Sequence, residues 1–327
     1  MSETPSFPPP PVYAYESGWR GLFNSWLRLW RFQLRNWSGE WRALFRNPVG
    51  IIGIGIIALF GLLALAQPIL LNTVWDDPVY DPFVGYDFET APHPTLPSTR
   101  HPFGTDYQGR DVLSRVAFAT RTSFGVGLIA ALVGTSLATL IGVSAAYFGG
   151  WVDSVLMALA DVFIMLPPAV VLLIVGLIFE MNLLQVGLLY GVFSGLGSLA
   201  ILLKAHTLTI LNKEHILASR IAGSGNWRII RRHILPNLVG LITVSMMLIV
   251  TGSVMIEALL SYFNRTTLRL SWGTMIWEIQ DNFLGGAVGL QWHVLLAPAL
   301  AIMLFCGAFY LVARTLDEVS NPKLRRR

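Results

Sequence analysis

"AGSGNWRIIRRHILPN", residues 222–237, sets Arg228, Arg231, Arg232 and His233 between two glycines and a proline. The chain around it is apolar: hydrophobic residues make up 54% of the 327 and charged residues 13%. An ordinary soluble domain carries about 25% charged residues. On both sides of the basic stretch run apolar segments long enough to cross a bilayer, which needs roughly 20 residues per helix. The stretch is therefore a loop between membrane spans.

Working outward, six spans are expected, near 49–67, 123–148, 155–179, 183–203, 238–262 and 291–313. None alternates polar and apolar residues as a membrane strand does, so the spans are helices and the fold class is all-α, a polytopic membrane protein with six transmembrane helices. An even number of spans puts both termini on one side. Lys and Arg number six in residues 1–46, six in 203–237 and five from Arg314 onward, against four in 68–121 and two in 263–290. That bias places both termini and the basic loop in the cytoplasm. Loop 68–121, with seven carboxylates, is expected to cap the other side, and its opening "DDPVYDPF" suggests irregular backbone. The first 46 residues lack the short apolar region of a cleavable signal peptide, so the first span is expected to persist.

Four divisions follow: a cytoplasmic N-terminal segment 1–46, first span and outer loop 47–121, a transmembrane core 122–314 with the cytoplasmic loop at 207–237, and a basic tail 315–327. In residues 19–46, Trp19, Trp26, Trp30, Trp37 and Trp41 fall on one narrow helical face and six arginines on another. That pattern predicts a helix lying on the cytoplasmic membrane surface, in contact with lipid headgroups or packed on protein. Within 207–237, residues 208–222 predict one helix, Gly223 and Gly225 a sharp turn, and Asn226 to about Leu235 a second helix. Trp227, Ile230 and Ile234 form its apolar face, suited to the membrane surface, and Pro236 marks the entry to span five.

Asp161 and Glu257 are the acids placed well inside spans; each should face a cavity or a protein partner, as pathway or helix-pairing groups. Pro167 and Pro168 should kink span three. Gly127, Gly134, Gly142 and Ala145 allow close packing of span two. One cysteine, Cys306, excludes a disulfide framework or a Cys-based metal cage. No lysine follows a glycine, so no Walker A loop is present, and the scattered histidines form neither a triad nor an HExxH pair. No catalytic or metal-binding residue, no cofactor and no nucleic-acid site is expected in this chain. A self-sufficient secondary transporter would need repeated broken spans and more intramembrane charges, and no repeat is evident.

The loop resembles the coupling (EAA) loop of permease subunits in bacterial ATP-binding-cassette importers. Ala218, Ser219, Gly223, Leu235 and Pro236 fit its register, with Leu217 in place of the usual Glu and His233 at an aliphatic position. "HPFGTDYQGRDVLSR" (101–115), "YFGGWVD" (147–153), "IEALLSYF" (256–263), "SWG" (271–273) and "NPKLRRR" resemble the second permease of dipeptide, oligopeptide and nickel importers. Asn264 and Ala158 depart from that pattern, standing where such permeases usually have Gly and often have Arg. The resemblance implies a type I, MetI-like permease that forms half of a translocation pathway. It also implies an ATPase-coupling site at Glu214, Ala218, Ser219, Arg220, Gly223, Leu235 and Pro236. The implied partners are a homologous second permease, two cytoplasmic ATP-binding subunits that hold ATP and Mg, and an extracytoplasmic substrate-binding protein.

Overall fold

A computed structural model describes residues 44–75, 77–263, 266–268, 270–284 and 291–320. The tryptophan and arginine pattern of 19–46 and the tail motif at 321–327 lie almost wholly outside these residues. The described residues form eleven helical segments, and their only extended pairing is two isolated bridges. Four helices are long and apolar enough to cross a membrane unbroken, and two bent pairs complete up to six spans.

Helix α1 (Pro48–Thr73) starts where Asn47 accepts a hydrogen bond from the Val49 amide at 2.9 Å, with Pro48 at the first helical position. Both features suit an N-terminus, because the first amides have no intrahelical acceptor. It passes Pro68 and ends six residues beyond the expected boundary. A four-residue helix α2 (Asp77–Tyr80) lies within the Pro-rich opening otherwise read as irregular. Helix α3 (Val112–Phe148) is the largest departure. It was expected from 123 but starts at Val112, where the Asp111 carboxylate accepts from the Ser114 amide at 2.7 Å. Its first turns carry Arg115, Thr120, Arg121 and Thr122, which give no hydropathy signal. Loop 68–121 is accordingly reduced to 74–111.

Span three is α4 (Gly150–Met165) and α5 (Pro168–Ile178), bent by 77° at the two prolines. Span four is α6 (Leu183–Leu196) and α7 (Ser198–Leu211), bent by 43° at Gly197, a break with no proline to announce it. The two breaks adjoin: a Cβ on Gly197 would lie 3.8 Å from the Ile164 amide. Helix α8 (Glu214–Ile221) is separate, so the single helix expected over 208–222 is interrupted at Asn212–Lys213. Helix α9 (Asn226–Tyr262) contains one π-helical turn, Ile230–Ile234, and runs on through Pro236 into span five. The expected second loop helix is thus the base of the span. Ile234 is fully buried while Trp227 is 69% exposed, so the two do not share a membrane-facing stripe. Helix α10 (Trp272–Leu284) lies in the loop before α11 (Trp292–Ser320), the sixth span.

Close backbone approach holds α3 to α6. Gly187, Gly191 and Gly195 recur every four residues, and a Cβ on the last two would come within 2.8 Å of the Ala130 carbonyl and 2.6 Å of the Gly134 carbonyl. Small residues allow this where apolar lipid gives helices no hydrophobic reason to associate. Gly134 was foreseen as a packing residue; its partners on α6 were not. At the other side of α3, Trp272 is fully buried between Phe60 and Phe305 at ring distances of 5.7 and 5.4 Å, and its indole donates to the Val116 carbonyl at 3.3 Å.

Candidate functional site

Leu44, Val312 and Leu316 pack together, so the start of α1 and the finish of α11 share one end of the bundle, the loop end. Helix α8 stands there. Only Ile216 of its eight residues is buried. Glu214 opens its first turn and is exposed, as are Ala218 and Arg220, and Ser219 is half-buried with its hydroxyl donating to the His215 carbonyl at 2.9 Å. Leu217 is 49% and Ile221 90% exposed, which bares an apolar edge outside the spans.

The helix stops in a left-handed turn. Gly223 has φ +77°, its amide donates to the Arg220 carbonyl at 3.0 Å, and the Ser224 amide donates to the Ser219 carbonyl at 3.1 Å. These paired bonds satisfy the last carbonyls of a helix, and the position favours glycine because a Cβ crowds the backbone there. No heavy atom would contact a Cβ at Gly223, so its requirement is conformational and not steric.

One aromatic residue at the foot of α3, Tyr147, orients the turn. The Arg220 guanidinium lies 5.3 Å from the centre of the Tyr147 ring, and the Tyr147 hydroxyl donates to the Asn226 side-chain carbonyl at 2.9 Å. Tyr147, Phe148, Arg220, Ser224 and Asn226 line an open groove of about 420 Å³. Nearby, Lys204 of α7 pairs with Asp153 of α4 at 2.5 Å. Sequence reading missed Tyr147 and Asn226 as parts of this site. The available signal was "YFGGWVD", noted only as a likeness. Leu235 and Pro236 are half-buried in α9, past the π-helical turn, and belong to the span base rather than to the exposed edge.

The two intramembrane acids do not share a site. Glu257 is fully buried, and one of its oxygens accepts from the Ser261 hydroxyl at 2.6 Å beside Thr266. Its other oxygen is buried without a hydrogen-bond partner among the described residues, and Ser261, 3.0 Å from the Thr266 hydroxyl, links this end of α9 to the loop that follows. Asp161 is exposed on α4 and has no hydrogen bond or ion pair among the described residues.

The opposite end, the cap end, carries a buried charge cluster that hydropathy could not reveal. Asp106 accepts from Arg110 Nε at 2.7 Å and also pairs with Arg115, while Glu278 of α10 pairs with Arg110 at 2.7 Å and with Arg115 at 2.8 Å. Beside it, His101 is fully buried between Asp111 at 2.8 Å and Asp87 at 3.1 Å. The Asp111 hydrogen bond, offset in part by burial and reinforced by Asp87, holds the His101 pKa above its ordinary value. Burial pushes Asp87 up, but bonds from His101 and the Glu89 amide, with Arg100 nearby, hold it below the usual carboxylate value. Among the described residues no group of three metal-ligating side chains converges.

Bent helices of membrane-spanning length, with an apolar edge displayed outside the spans, mark the described residues as a polytopic membrane protein. Residues 138–326 match the family described as "Binding-protein-dependent transport system inner membrane component". The dipeptide transport system permease protein of Bacillus subtilis strain 168 is 31% identical over 88% of this chain and 85% of its own length. The glutathione transport system permease protein of Pectobacterium atrosepticum is 29% identical, covering 88% of this chain and 92% of its own. The oligopeptide transport system permease protein of Escherichia coli K12 is 30% identical, with the same coverage of 88% and 92%. The chain belongs to the binding-protein-dependent inner-membrane component family, as a multi-pass permease subunit of an ATP-binding-cassette importer. That membership sets aside the self-sufficient secondary transporter.

Proposed function

We propose that this chain forms half of an importer pathway for peptides or a closely related small solute, and that α8 with the turn at Gly223 is its contact with a separate ATPase. The exposed edge Leu217–Ile221, fixed by Tyr147 and the left-handed turn, supports the reading. An apolar edge in water is favourable only when another protein covers it. Glu214, Ala218, Ser219, Arg220 and Gly223 then form the contact, with Leu235 and Pro236 passing its movement into α9. ATP and Mg belong to two cytoplasmic ATP-binding subunits. A homologous second permease completes the pathway, and an extracytoplasmic binding protein delivers the substrate. The basic loop, both termini and the N-terminal segment 1–46 are cytoplasmic and loop 74–111 is outside, as the charge bias implies. The similarity to dipeptide, oligopeptide and glutathione permeases supports the substrate class.

Purification of the tagged chain from its native membrane tests this. The wild type should bring down a second permease and an ATPase, and the complex should take up peptides at the expense of ATP. Ile221→Asp should lose the ATPase while keeping the second permease. Retention of both by that variant would remove α8 from the contact. For orientation, after Cys306→Ser, a cysteine at Ser224 should react only from the cytoplasmic side and one at Thr95 only from outside.

A further inference from the structure

Helix α4 is the least enclosed part of a span: of its 16 residues, Ala160 alone is buried. Asp161 lies eleven residues after Gly150, so it stands about 16 Å up the helix at 1.5 Å per residue. That is close to the middle of a hydrocarbon layer about 30 Å thick. On its face lie Ala158, Ile164 and Met165, all exposed, with Met157 half-buried, and nothing basic. A carboxylate facing lipid at this depth costs about 2.5–3.5 kcal/mol on insertion scales, so this face meets water or protein.

The backbone beside it is broken. Pro167 and Pro168 supply no N–H to the carbonyls of Phe163 and Ile164, one turn back. The negative end of the α4 dipole meets the positive end of α5 at this bend, so the two helix ends offset each other and the Asp161 carboxylate sets the sign. The break of span four at Gly197 adjoins this bend. Broken helices at membrane depth are tolerated where they line a wet cavity or are buried in protein. The Asp161 carboxylate therefore stands beside the bend as a negative charge with no cation of this chain to neutralise it among the described residues.

We infer that Asp161 and the bend of span three line the translocation path and receive a cationic ammonium group of the passing substrate. This rests on the peptide reading above: attraction to Asp161 follows the net charge a peptide brings, positive for lysine peptides, near zero for an unblocked neutral peptide and negative for glutamate peptides. Asp161 is then a specificity-determining residue inside the membrane, apart from any selection made by a binding protein.

The test uses the complete transporter with its binding protein in proteoliposomes, and compares Asp161→Asn with wild type for each of three peptides. Delivery by the binding protein is common to both and cancels. Uptake of tri-lysine should fall about tenfold, the effect of losing one charged hydrogen bond. Tri-alanine should fall less, tri-glutamate should not fall, and Asp161→Glu should retain the wild-type order. An equal fall for all three peptides, or no fall for any, overturns the inference while leaving the peptide reading intact. No uptake of any peptide by the wild type overturns both. Independently, Asp161→Cys on a Cys306→Ser background should react with water-soluble thiol reagents in the assembled complex. Protection there, with reaction in the isolated subunit, would mean that Asp161 is sealed against the second permease, and the inference would be wrong.

Discussion

The two ends of the helical bundle are held on opposite terms. At the cap end, loop 74–111 and α10 are fastened to α3 by charges that are nearly all buried: Asp106 with Arg110 and Arg115, and His101 between Asp87 and Asp111. At the loop end, α8 buries Ile216 and adds the Arg220–Tyr147 cation–π contact and a ring contact of His215 with His233 at 5.9 Å, while an exposed hydrogen bond from Tyr147 holds Asn226 beyond the turn. One end is completed by its own chain. The other is shaped by its own chain but left open, as the proposed contact with an ATPase requires. Local stability should differ accordingly, since such free energies follow buried contacts rather than proximity to the spans.

The sharpest way to break the comparison is at Asp106. Asp106→Ala leaves the Arg110 and Arg115 guanidiniums with Glu278 alone, and breaking one side of a buried pair costs about 3–5 kcal/mol. Thermal unfolding of the purified chain in detergent should show a clear drop in midpoint. Arg220→Ala at the loop end should barely move it, because surface contacts of this kind contribute about 0–1 kcal/mol. Equal shifts would erase the distinction between the two ends.

The cap should also have its own pH window. His101 has a raised pKa, so its contribution is complete below about pH 6.5, its unperturbed value, and is lost as pH rises through the higher folded value. Asp87 is lowered, so its contribution is complete above about pH 4 and is lost as pH falls through the lower folded value. Between these limits the cap is most stable. On the alkaline limb one proton changes stability by up to about 1.4 kcal/mol per pH unit. Limited proteolysis within 74–111 should accelerate from neutral to alkaline pH, and His101→Gln should be fast throughout with that limb flattened. An unchanged pH profile in this variant would remove His101 as the titrating group.

How much of this was legible in the sequence follows the reach of each signal. Spans one, five and six, the proline bend, the basic loop and the turn at Gly223 are written in contiguous residues, and hydropathy or backbone chemistry finds them. The first eleven residues of α3 were missed because Arg115, Thr120, Arg121 and Thr122 look like loop when their partners are unseen. Arg110 and Glu278 are 168 residues apart, so no local pattern joins them. The break at Gly197 was hidden because a glycine among apolar residues reads equally as a packing contact. Within the candidate site, Gly223 and Arg220 were readable. Tyr147 was not, because its role exists only once α3 and α8 are brought together.

Gly223→Val tests the open end directly. A β-branched residue at φ +77° costs about 1–2 kcal/mol locally, and the open space around it means nothing else must move. The unfolding midpoint should stay near wild type while uptake driven by ATP hydrolysis is lost, and Gly223→Asn should recover part of it because Asn tolerates that backbone region. Full uptake in the valine variant would mean that the turn does not shape the contact.

The smallest expected effect is at Tyr147. Phenylalanine keeps a ring beneath Arg220, and cation–π contacts at exposed sites contribute about 0.5–1 kcal/mol. It removes only the 2.9 Å bond to Asn226, worth about 0.5–1.5 kcal/mol and less where water can replace it. Hydrogen exchange across 220–228 should therefore be slightly faster in Tyr147→Phe and distinctly faster in Tyr147→Ala, which loses both contacts. If Phe behaves like Ala, the hydroxyl and not the ring positions the turn. In neither variant should exchange at residues 101–115 change, because no contact of Tyr147 reaches the cap. A coupled change there would show that the two ends are not independent, and that the bundle carries movement of the open end all the way to the closed one.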